Sequence, residues 1–175
     1  GDSAGVHASD AANAWRQMIE LSHDQNLFVG LIVSAYHTAA YNPFPSDPYP
    51  LREHTEKLTI DAREELLGVC EECIRANDQG VAAAAIQRFG ELGGSPGEVF
   101  QLMRRYTISE DGRLHGEKYY RTVTEEFQAA RPRFRWRQLV GLARVTASAY
   151  GYDRDDNAGC RAPGYEEARR LLGLG

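Results

Sequence analysis

The chain is poor in the features that most directly announce a function. Three cysteines among 175 residues are too few, and odd in number, for a disulfide-stapled secreted scaffold. A reducing, cytoplasmic setting is the expectation that follows. No charged-then-apolar leader is legible at the N-terminus. The longest mostly apolar run, Leu27 to Ala35, is far short of the ~20 residues that cross a bilayer as a helix, so no membrane span is expected. There is no excess of positive charge. The formal net charge is −5, which disfavours nucleic acid or an anionic membrane as a global partner. Internal repeats are absent, and only Arg131 to Arg137 alternates in the manner of a strand.

What is present is helical patterning. Hydrophobic residues make up 42% and charged residues 26%, enough apolar material for one packed domain over residues 1–175. Ser9 or Asp10 can cap a first helix to about Leu21. Asp24 can start a second to Ala40, with Leu27, Leu31, Ser34 and Ala35 as its packing face and a notch at Gly30. The proline-rich segment Pro43 to Pro50 ends regular structure. Thr59 to Asn77, Val81 to Leu92 and a helix opened by Ser95-Pro96 follow. Leu114 to Ala130, Gln138 to Gly151 and Tyr165 to Leu172 complete the pattern. The expected fold is all-α: six to eight helices in a compact orthogonal or bundle-like array. Thr59–Asn77 and Gln138–Tyr150 are expected at its centre, with Ala82–Ala85 fixing a close neighbour.

Chemistry concentrates at Cys70-Glu71-Glu72-Cys73. A three-residue offset on a helix puts both sulfurs on one face, one turn apart. Such a pair can be a redox dithiol, two of four zinc ligands, or two small half-buried side chains. Zinc would need Cys160 and one of His23, His37, His54 or His115, so no metal site is assigned. A thiol reacts as its thiolate, and Glu71 and Glu72 oppose that form, while Arg63 and Arg75 are the cations near enough in sequence to offset them.

Cys70-Glu71-Glu72-Cys73-Ile74-Arg75-Ala76-Asn77, followed by Gly94-Ser95-Pro96-Gly97-Glu98-Val99, resembles the signature region of the alkylhydroperoxidase D and carboxymuconolactone decarboxylase superfamily. The resemblance covers about thirty residues. It implies an all-helical protein in which Cys73 attacks a peroxide and Cys70 resolves the sulfenic acid to a disulfide, and a thiol oxidoreductase acting on a peroxide or quinone-like small molecule is the expectation drawn from it. The family's histidine position holds Asn77, and its upstream glutamate position falls on Leu58, with Glu56 nearest.

Two further constellations stand outside the dithiol. His37, His54 and His115, rimmed by Tyr119, Tyr120 and Tyr150, are candidates to line a small-molecule, metal or haem-type pocket, although no pattern names a cofactor. Glu20-Leu21-Ser22-His23 has half of a di-iron motif, and the second half is missing. Arg131-Pro132-Arg133-Phe134-Arg135-Trp136-Arg137, read as extended chain, sets four arginines against two aromatics, and Arg135 is its candidate ligand for an anionic substrate or partner. The rival to a redox enzyme is a non-catalytic helical subunit or protein-interaction module, with a homo-oligomer among its forms.

Overall fold

The computed structural model describes residues 4–40, 49–60, 62–108, 113–151 and 165–174. These residues form nine helices and no strand: α1 Ala4–Glu20, α2 Gln25–Ala40, α3 Arg52–Glu56, α4 Arg63–Arg75, α5 Gln79–Glu91, α6 Pro96–Thr107, α7 Arg113–Ala129, α8 Pro132–Ala149 and α9 Tyr165–Leu171. The all-α expectation holds. Contacts gather the chain into two units, Gly1–Asp47 and Pro48–Gly175.

In the second unit the core is built around α5. Asp78 opens it by accepting the Val81 amide proton, and Gly93, with a φ of 76°, closes the turn beyond its end. Gly80, the run Val81-Ala82-Ala83-Ala84-Ala85-Ile86, and Phe89 are all buried. Short alanine side chains let α4 and α8 approach from both sides, and these are the neighbours against which α5 packs most extensively. The expected central pair therefore flanks the most buried helix instead of forming it. Ser95 caps α6 by accepting from the Gly97 amide, with Pro96 at the first helical position, as the sequence indicates.

In this unit the starts of α4 and α8 differ most from expectation. Helix α4 begins at Arg63 after Ala62, which supplies no side-chain cap, and Thr59 lies outside it; the short helix α3 intervenes upstream. Helix α8 begins at Pro132, six residues before the expected start, so Arg131 to Arg137 is not an extended strip. Proline at a first helical position lacks only a donor that has no partner there, so Pro132 starts a helix where it reads as an interruption. On the helix Arg133 and Arg137, four apart, share a face while Arg135 lies on the other side, so the four arginines form no single strip. Trp136 turns inward, donating its indole N–H to the Ile86 carbonyl at 2.9 Å over Gly90.

The first unit is a helical hairpin. Asp24, with a φ of 57°, makes the turn between α1 and α2. The α2 side that meets α1 carries Leu27, Gly30, Ser34 and His37, spaced three or four apart. Gly30 is buried against Ile19, whose Cγ1 would lie 2.9 Å from a Cβ added there. The Trp15 indole donates to His37 Nδ1 at 3.2 Å and ties the two helices further along. Leu31 and Ala35, expected on this face, are exposed. Helix α1 starts at Ala4, ahead of the Ser9–Asp10 cap expected for it.

Candidate functional site

The two described cysteines are free thiols at consecutive turns of α4. Cys70 has no exposed surface, and burial, then Cys73 and Glu71, push its pKa far above the ordinary thiol value. Cys73 is half-buried; burial, Asp78 and Glu72 push it up to about 11. The cations that were to offset these effects are engaged elsewhere. Arg75 pairs with Glu71 at 3.1 Å and Arg63 with Glu64 at 3.2 Å. Both thiols are therefore held in the protonated, weakly nucleophilic form. Cys160 lies outside the described residues.

Asn77, at the family's histidine position, has a structural partner. It ends α4 with a φ of 56° and donates from Nδ2 to the carbonyls of Ala147 at 2.9 Å and Tyr150 at 2.7 Å. These are carbonyls at the C-terminal end of α8 that the helix cannot satisfy internally. An amide serves there as a donor between two helix ends, a role that needs no proton exchange. The neighbouring Glu71 accepts from the Tyr106 hydroxyl and pairs with Arg75 and, at 3.6 Å, with Arg105. Burial alone would raise its pKa; the Tyr106 hydrogen bond and the two guanidiniums outweigh that and hold it below the usual carboxylate range. Glu71 is thus a fixed anion tying α4 to α6, and it is not poised to relay protons.

The remaining candidates are distributed. His37 lies in the hairpin, accepting from Trp15. His54, on α3, accepts the Leu51 amide proton at Nδ1 at 3.1 Å and lies over Gly80 at the start of α5, its ring 5.2 Å from that of Tyr49. Arg144 completes this patch: its guanidinium lies 3.9 Å from the Tyr49 ring centroid, and its Nε donates to Gln79. His115 and Tyr119 are on α7, where the Tyr119 hydroxyl lies against Gly141 of α8. Tyr120 donates to the Phe100 carbonyl, and Tyr150 meets Tyr106 edge-on. Arg135 donates to the carbonyls of Ala130 at 3.1 Å and Gln128 at 3.4 Å, closing the end of α7. Among the described residues, no three His, Cys, Asp or Glu side chains gather to hold a metal ion. Glu20 pairs with Arg16, and His23 falls in the turn after α1.

A surface with unspent interaction capacity lies on α2. Opposite its α1-facing side, Phe28 is 65% exposed, Ile32 70% and Tyr36 79%, with Val29 alongside at 56%. Their i, i+4, i+8 spacing lines them up along the helix. No Asp, Glu, Lys or Arg occurs from Gln25 to Ser46 to interrupt the stripe. The packing face expected for α2, Leu27, Leu31, Ser34 and Ala35, does not include this stripe. The clue that expectation passed over is that α2 is apolar on every side, while a hairpin offers it only one neighbour to cover it.

No family model, curated protein or solved structure matches the chain.

Proposed function

We propose that this chain is a non-catalytic helical subunit that recruits a protein partner through its N-terminal hairpin. The observation that carries this reading is the stripe Phe28–Ile32–Tyr36 on a hairpin with no apolar core of its own. Of the described residues in this unit, only Asn13 and Gly30 are buried. Two helices that bury no large apolar side chain gain too little to offset the entropy of ordering them, so a covering partner supplies what they lack. A protein fits better than a membrane or nucleic acid. Asp2, Asp10, Glu20, Asp24 and Asp47 oppose Arg16 alone, a formal charge of −4 over residues 1–47. Helices that lie on anionic lipid are rich in Lys and Arg.

The elevated thiols support the same reading over a peroxide-reducing dithiol, which needs a thiolate and access to the resolving sulfur. The test is peroxide consumption under a thiol reductant, for the wild type and Cys73→Ser. Equal, background-level rates are expected. Multiple turnovers that vanish in Cys73→Ser would restore the dithiol enzyme and remove the non-catalytic proposal.

A further inference from the structure

Resting on that interaction reading, we infer that the partner is a second copy of this chain, and that two hairpins pair through α2 into an antiparallel four-helix bundle. The stripe is nearly symmetric about its middle. Helix α2 runs from Gln25 to Ala40, and Ile32 sits at its midpoint. A two-fold axis through Ile32 sets Ile32 against Ile32 and Phe28 against Tyr36 of the partner subunit. It also sets Val29 near Ala35 of the partner subunit. An isologous interface needs such self-complementarity, and the even spacing of the stripe meets that need.

Charge and area agree with this pairing. Like charges do not meet at the seam, because α2 carries no acidic, lysine or arginine side chain and the hairpin's acidic residues lie outside it. Charge depletion is also the mark of the cores of homodimer interfaces. At about 150–200 Å² for a large side chain, the four stripe residues expose roughly 500 Å². A standard interface covers about 800 Å² per partner, and about 65% of a homodimer interface is apolar, which is again roughly 500 Å². Short, antiparallel helical hairpins are the ordinary building unit of such bundles.

Sedimentation equilibrium of the full chain tests this. The wild type should be a dimer at about 50 μM, a stable-complex affinity. Ile32→Glu and Phe28→Glu should each weaken dimerisation at least 100-fold. Leu114→Glu, at an equally exposed apolar site on α7, should leave it within threefold. In case the glutamates disturb the hairpin, a photoreactive benzoylphenylalanine replacing Phe28 gives a second measurement. Its crosslink should map to the neighbourhood of Tyr36 of the partner subunit. A crosslink to position 28 of the partner would overturn the antiparallel arrangement.

A wild type that stays monomeric to 100 μM would overturn the second copy. The interaction reading would then stand or fall separately, by a solvatochromic apolar dye. Binding lost in Ile32→Glu leaves an open face for a different protein, and no difference between the two removes both ideas. Flotation of the wild type, but not Ile32→Glu, with phosphatidylcholine–phosphatidylglycerol vesicles would replace the protein partner with a lipid surface.

Discussion

At the scale of single residues, local environment converts reactive side-chain types into structural ones. Cys73 is the clearest case. A thiol held at about 11 is only on the order of one part in a thousand thiolate at pH 8. Its alkylation by iodoacetamide should rise about tenfold per pH unit from pH 8 to 10 without a plateau, and Cys70 should stay unmodified until the protein unfolds. Mass spectrometry of timed samples reads both sites. Because the neutral thiol is the favoured form, the stability it contributes is complete below the ordinary thiol pKa of 9.0 and is lost as pH rises through about 11. Asn77 makes the complementary case. Asn77→Gly keeps the positive φ and loses two hydrogen bonds, and should cost about 1–2 kcal/mol. Asn77→Ala adds the left-handed penalty, about 1 kcal/mol more. Urea midpoints at unchanged slope would establish that order, and a reversed order would show that backbone conformation is not what selects asparagine.

Helices were legible where their ends carry specific stop and start chemistry. Ser95-Pro96 opens α6 where the side chains direct it, with Gly93 closing the turn before it, whereas α5 starts at Gln79 behind an Asp78 cap and not at Val81. Reading failed where one residue type serves opposite purposes. Pro132 can break a helix or begin one, and only the Trp136 contact with α5 shows which. Thr59 is a good cap residue, yet α4 begins after Ala62. The dithiol spacing was visible, but burial was not. Whether Cys70 faces solvent depends on helices that are distant in sequence. The α8–α5 contact gives a prediction at this scale. A Cβ on Gly90 would overlap the Trp136 indole at Cε2. Gly90→Ala should displace the indole, break its bond to Ile86 and destabilise the protein by about 1–3 kcal/mol. A shifted Trp emission maximum together with a lowered urea midpoint would check it; Trp15 in the hairpin supplies the constant part of the signal.

At the scale of the whole molecule, the two units obtain their stability differently. Pro50 and residues from Leu66 to Ala147 supply every buried apolar side chain among the described residues. That unit should behave as a concentration-independent domain. The hairpin depends on what covers α2, so amide exchange in α1 and α2 should slow as protein concentration rises, while exchange in α5 and α8 stays constant. Hydrogen–deuterium exchange at 1 and 100 μM measures this directly. Equal protection of the hairpin at both concentrations would mean that it is stable without a partner.

The alanine run in α5 has a bearing on how this protein can change over time. Its four consecutive methyl groups are enclosed on all sides, with exposures of 0–1%. Any larger side chain there must displace one of the helices packed on α5, which are α3, α4 and α8. The chemically plainest stretch of the chain is therefore the one with the least freedom to drift. Divergent descendants should preserve it long after the thiols of α4 have been exchanged for other small residues.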